Sequence, residues 1–183
     1  MKTIIRKAYW NYEKEEKWLN EMSAKGLALT DYSWCRYVFS DSQPGEYVYR
    51  IELLENIASH PVSQKYLRFM EESGVEYVAS YMRWVYFRKK ASDGVFDIYS
   101  DTDSKIKHYR RINRFWVIIA VSQMLIGSSN VFIWINSLSS GYPSYANLIA
   151  GCVCILLGLG FLVLGHPLRK KISELKKEKV VVE

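Results

Sequence analysis

From Phe115 to Leu168 the chain runs for 54 residues without one Lys, Arg, Asp or Glu. Two apolar segments fill that stretch: "FWVIIAVSQMLIGSSNVFIWIN" at 115–136 and "ANLIAGCVCILLGLGFLVLGH" at 146–166. Each matches the ~20 helical residues needed to cross a hydrocarbon core of ~30 Å. A buried helix of a soluble domain needs neither that length nor a complete absence of charge. The intervening "SLSSGYPSY", residues 137–145, is uncharged and too short to be a domain. Trp116, Trp134, Tyr142 and Tyr145 fall near the expected interfaces, where amphipathic rings prefer to sit. The pattern predicts a transmembrane hairpin.

Lysine and arginine set the expected orientation. "KIKHYRRINR" at 105–114 is a basic juxtamembrane helix, and a basic tail at 167–183 follows the second span, whereas the hairpin tip has no cation. Both termini are therefore expected on the cytoplasmic side of the plasma membrane, with 137–145 external. Ala146, Ala150, Cys154 and Gly158 recur every four residues and predict the face through which the second span packs on the first, where Ser122, Gly127, Ser128 and Asn130 wait. No ionisable group lies between the interfaces, which argues against a proton- or ion-coupled pump.

Residues 1–104 read as a cytoplasmic α+β domain. "EKWLNEMSAKGLAL" (16–29) is echoed 48 residues later by "QKYLRFMEESGVEY" (64–77), with Lys, Leu, Met and Gly at matching places. In each copy an amphipathic helix closes on a glycine, Gly26 or Gly74, suited to a left-handed cap; Pro61 suits the first turn of the second helix. Residues 32–39 and 81–89, rich in aromatic and β-branched side chains, read as single strands, with return strands at 46–53 and 95–99. An internal αββ repeat at about 13–55 and 61–100 follows. With a first strand in "KTIIRKAYW", the order predicts one antiparallel sheet carrying two helices on one face, with a ferredoxin-like tendency.

The blocks EKWLNEM with Gly26, Tyr37-x-Phe39, Tyr47-Val48-Tyr49-Arg50-Ile51, Trp84-x-Tyr86-Phe87 and Ile98-Tyr99-Ser100-Asp101 resemble the bacterial domain-of-unknown-function family numbered 2812. The resemblance covers roughly residues 5 to 110, with EKWLNEM and YVYRI its most specific parts. Val75 departs from the tryptophan often found there. The resemblance implies a bacterial membrane protein with hydrophobic C-terminal helices, whose gene often neighbours that of a PadR-type repressor. It implies no catalytic residues.

Motifs for chemistry are sparse. "YSDTDSK" has the spacing of an Asp-x-Asp phosphotransfer loop but precedes a membrane helix, so Asp101 and Asp103 read as helix caps. His60, His108 and His166 are scattered, and Cys35, Cys152 and Cys154 form no metal or redox motif. No cofactor, metal site or catalytic residue is expected. A helix-free sheet face is expected to display Tyr32, Trp34, Arg36, Arg83, Trp84, Tyr86 and Arg88 as a ligand or partner surface. Residues 1–114 carry 19 basic and 16 acidic side chains, a balance that argues against nucleic acid.

The partners expected are therefore the lipid bilayer and a protein, either another chain or a second copy. The expected role is a regulatory or sensory binding module, acting with a transporter or an envelope-stress system. The alternatives are a membrane-bound enzyme on a lipid-proximal substrate, for which Glu52, Glu76 and Asp97 are the strand carboxylates to watch, and a structural dimerisation module.

Overall fold

The computed structural model describes residues 2–99 and 101–182, the last three by backbone alone. Ser100, the expected end of the second repeat and part of one family block, lies outside the described residues, as do Met1 and Glu183. The chain divides between residues 100 and 101 into two compact units.

The first unit is α+β. Its order is β1 (Lys2–Arg6), α1 (Tyr12–Ala24), β2 (Leu27–Ser33), β3 (Arg36–Asp41), then β4 (Tyr47–Leu53), α2 (Pro61–Glu72), β5 (Glu76–Tyr81) and β6 (Trp84–Lys90). The strands form two antiparallel three-stranded sheets, ordered β1-β3-β2 and β4-β6-β5. Each half is thus strand–helix–strand–strand, with its third strand in the middle. The register irregularities also match, between Leu29 and Asp31 in β2 and between Tyr77 and Ala79 in β5.

That arrangement corrects the predicted strands. Residues 32–39 and 81–89 each contain a two-residue hairpin turn, at Trp34-Cys35 and Met82-Arg83. Residues 46–53 are the first strand of the second half rather than the return strand of the first, and "SDSQPGE" links the halves. Residues 94–99 form no strand, because both sides of β6 are already occupied by β4 and β5. Two small sheets replace the single one expected.

The helices start and stop for local reasons. The Asn11 side chain accepts hydrogen bonds from the N–H groups of Glu13 and Lys14 at the start of α1. His60 Nδ1 accepts from Val62 N–H at the start of α2, and Pro61 takes the first turn. Gly26 follows α1 at φ +79°, and a Cβ there would lie 3.0 Å from the Ser42 carbonyl oxygen, so the turn into β2 excludes a side chain.

Two hydrophobic clusters hold this unit. One joins Leu19 and Met22 of α1 to Leu29, Tyr37 and Phe39 of the first sheet and to Tyr49, Ile51 and Tyr86 of the second. The other sets Leu67 and Met70 of α2 against Val85, Phe87, Leu54, Val75 and Phe96. Tyr86 belongs to the first cluster and Val85 and Phe87 to the second, so β6 is buried on both faces. The two helices therefore do not share one face of one sheet.

The second unit is a helical hairpin, α3 (Thr102–Ser139) and α4 (Tyr145–Val182), turned at residues 140–144. Asp101 caps α3: its carboxylate accepts from the hydroxyl and the N–H of Ser104, which hold it below the usual carboxylate range. The basic tail is helical as far as Val182. At about 1.5 Å per residue, 38 residues span roughly 57 Å, well beyond a hydrocarbon core.

The helices meet along small residues spaced by seven, not four. A Cβ on Gly127 would lie 2.9 Å from the Gly151 carbonyl oxygen and 2.7 Å from Ile155 Cγ1. Gly158 faces Ala120 in the same way, and Gly165 faces Asn113. Positions 113, 120 and 127 thus oppose 165, 158 and 151, a heptad seam that gives left-handed antiparallel packing. Of the four residues predicted to form this face, Gly158 is on the seam and Cys154 flanks it, while Ala146 and Ala150 point outward. A four-residue repeat drifts around a helix; a seven-residue one follows the seam.

Candidate functional site

The seven residues expected on one open sheet face are dispersed. Trp34, at the β2–β3 turn, is 75% exposed, and beside it Arg36 lies 3.7 Å from Asp31. Tyr86 is buried, and Tyr32 packs on Tyr37 and Tyr86 with ring centroids 4.7 and 4.5 Å away. Trp84 is half-buried against Tyr12, and Arg83 donates twice to the Leu54 carbonyl. Arg88 pairs with Glu76 at 2.6 Å, lies over the Tyr47 ring and reaches the Leu29 carbonyl. Burial of β6 on both faces removes the common surface. Trp34 and Arg36 remain at the β2–β3 turn.

A polar cluster lies where the two halves meet. Glu15 of α1 is 7% exposed and accepts hydrogen bonds from the hydroxyls of Tyr37 on β3, at 2.6 Å, and Tyr86 on β6, at 2.7 Å. Burial raises the Glu15 carboxyl above the ordinary range despite these two donors. Burial also raises the Tyr37 and Tyr86 phenols, and the nearby glutamate adds to both shifts. The phenols therefore act as donors. One carboxyl joins a helix to a strand from each sheet. Sequence reasoning passed over Glu15, although 15, 19 and 22 continue one helical stripe.

The outer edge of β4 is covered by the polar side of α1. Glu16 Oε2 accepts from Ile51 N–H at 3.0 Å, and Asn20 both accepts from Tyr49 N–H and donates to the Tyr49 carbonyl. The Ser23 hydroxyl donates to the Tyr47 carbonyl at 2.6 Å and accepts from Tyr47 N–H at 3.3 Å. Alternate residues of an edge strand turn their peptide groups outward, and here side chains four and seven apart on one helix meet them. Glu16 also lies 3.3 Å from Arg50, yet desolvation leaves its carboxyl raised. The EKWLNEM and YVYRI blocks are thus two sides of one contact.

The three carboxylates singled out on strands do not converge. Glu52 accepts from the Tyr66 hydroxyl at 2.8 Å, Glu76 binds Arg88, and Asp97, outside any strand, accepts from Tyr99 N–H. Among the described residues no group of three His, Cys, Asp or Glu could hold a metal ion.

No curated protein and no solved structure matches the chain. The family model described as "Protein of unknown function (DUF2812)" matches residues 11–121, which takes in α1, α2, strands β2 to β6 and the first half of α3, and leaves β1 outside. With more than half of its length inside that match, the chain belongs to the DUF2812 family.

Proposed function

We propose that the chain is a multi-pass plasma-membrane protein, with both termini cytoplasmic, whose α+β unit is a regulatory or sensory module that binds another protein. The observation that carries the membrane reading is the bareness of the hairpin. Only 11% of the apolar window of α3 and 17% of that of α4 is buried. Ile118, Leu125, Phe132, Leu156 and Val163 are all exposed, and water is a poor solvent for a surface of that size.

The binding role is supported by how the polar groups are used. Glu15, Glu16, Asn20, Ser23 and Glu52 join elements of the fold to one another. We read the matching halves as an internal duplication that built a scaffold, with the exposed Trp34 as its first contact for a protein partner of a transporter or envelope-stress system.

A topology reporter at Ser140 and photo-crosslinking from position 36, beside Trp34, in intact cells test this reading. An external reporter and one reproducible adduct, lost on Trp34→Ala, are expected. A chain that stays monodisperse in buffer without detergent overturns the membrane reading. Turnover of a lipid substrate by the purified protein would put the enzyme reading first.

A further inference from the structure

From Ser104 to Ser173 the chain contains eight Lys and Arg residues and no Asp or Glu. All eight lie just beyond the apolar windows: Lys105, Lys107, Arg110, Arg111 and Arg114 on α3, and Arg169, Lys170 and Lys171 on α4. The antiparallel seam brings the two sets to one level. Asn113 opposes Gly165, and Lys171 lies over the Tyr109 ring at 5.7 Å. Trp116 stacks on Phe161, centroids 5.8 Å apart, immediately on the apolar side. Lys107, Arg110, Arg114 and Arg169 are exposed.

Two carboxylates of the hairpin flank the collar on its outer side. Asp103 is paired with Lys179 at 2.8 Å, and Glu174 lies 3.9 Å from Lys170. Cationic side chains therefore stand just beyond the apolar windows, against an aromatic boundary, and the Glu174 carboxylate lies on Lys170 at the outer side. A zwitterionic headgroup brings its own ammonium into that field; the headgroup of phosphatidylglycerol does not.

We propose that this collar selects anionic phospholipids, taking the headgroup phosphate between Arg110 and Arg114 of α3 and Arg169 of α4. The proposal rests on the membrane reading above, and it goes beyond that reading by naming the lipid class and the residues that recognise it.

The test uses the full chain purified in dodecyl maltoside micelles and titrated with dioleoylphosphatidylglycerol or dioleoylphosphatidylcholine, with bound lipid counted by native mass spectrometry. The expected result is an apparent affinity about tenfold higher for the glycerol lipid, shrinking as salt rises from about 0.15 M to about 1 M. The triple variant Arg110→Gln, Arg114→Gln, Arg169→Gln is expected to lose that preference. Lysine at the same three positions, and Lys176→Gln with Lys177→Gln in the distal tail, are expected to keep it.

Equal binding of the two lipids, or a preference that survives the triple Gln change, overturns the proposal while leaving the membrane reading intact. Displacement of the lipid by inorganic phosphate at matching concentration also overturns it, because the collar would then be a site for soluble anions. A wild-type chain that needs no detergent overturns both readings together.

Discussion

Asn20 holds Tyr49 by both of its main-chain polar groups: its Oδ1 accepts from the Tyr49 N–H at 2.8 Å, and its Nδ2 donates to the Tyr49 carbonyl at 3.2 Å. An asparagine amide carries a donor and an acceptor side by side, as a peptide does, so the helix presents to β4 what a neighbouring strand would. Glu16 and Ser23 extend the contact one turn either way. The edge of the second sheet is thereby closed to other strands without a seventh strand being built.

Asn20→Ala is expected to destabilise the α+β unit by about 1–3 kcal/mol, because it strips the half-buried Tyr49 N–H of its acceptor and leaves the Tyr49 carbonyl to Arg50 alone. Thermal unfolding of the full chain in detergent, followed by circular dichroism in the strand region, measures the loss. Asn20→Leu should be no better, since shape is not what is missing. An unchanged midpoint in both variants would show that water replaces the clasp at no cost.

Glu15 makes stability depend on pH in a direction opposite to that of most carboxylates. Its folded-state pKa lies above the ordinary value of 4.5, so between those two values the folded chain binds the proton that the unfolded chain releases. Stability from this group is therefore fully present below the unfolded pKa and lost as pH rises through the folded one. Compared with Glu15→Gln, which does not titrate, the wild type is expected to gain thermal stability as pH is lowered from neutrality towards 4.5. Glu16 shifts in the same direction in both proteins and cancels in the difference. A constant difference across that range would mean that Glu15 titrates as an exposed carboxylate.

Much of this architecture was legible in the sequence. The helix caps at His60-Pro61 and Asp101 and the charge-free block are local chemistry, and local chemistry shows in the residues themselves. The strand boundaries were not legible, because the two hairpin turns contain no Gly, Asn, Asp or Pro. Trp34-Cys35 and Met82-Arg83 continue the aromatic runs on either side of them. The left-handed conformations fall on Cys35, at φ 57°, and Met82, at φ 55°, residues that do not announce a turn. Of the candidate surface, Trp34 and Arg36 were placed at an exposed turn. Tyr86 and Tyr32 went into the core, because which face of β6 is open depends on a second sheet that no single strand pattern reveals.

Met82 offers a direct check on those turns. A side chain in the left-handed region costs about 1–2 kcal/mol relative to glycine, partly offset by the extra freedom glycine gives the unfolded chain. Met82 is 68% exposed, so little packing is lost on its removal. Met82→Gly is expected to raise the unfolding midpoint by a few degrees, and Met82→Val to lower it, since β-branching makes positive φ harder still. Equal midpoints for the Gly and Val variants would place the residue in ordinary extended backbone.

The glycines of α4 separate helix packing from helix propensity. Gly151 and Gly160 share one helix, and either change to alanine should favour helix formation intrinsically by about 1 kcal/mol. At Gly160 a Cβ meets nothing within 4 Å, so Gly160→Ala should be neutral or stabilising. At Gly151 it would come within 2.8 Å of Val131 Cγ2 and 3.0 Å of the Gly127 carbonyl oxygen, and a backbone carbonyl cannot swing aside as a side-chain tip can. Gly151→Ala is therefore expected to push the helices apart and destabilise the hairpin by about 1–3 kcal/mol, the usual result of overpacking. Disulfide trapping between cysteines placed at positions 116 and 161, which face each other across the helices, in a chain with Cys152 and Cys154 changed to serine, reports the separation in detergent at graded temperature. If the two alanine variants behave alike, the seven-residue seam is not the packing surface, and the outward Ala146 and Ala150 again become candidates for it.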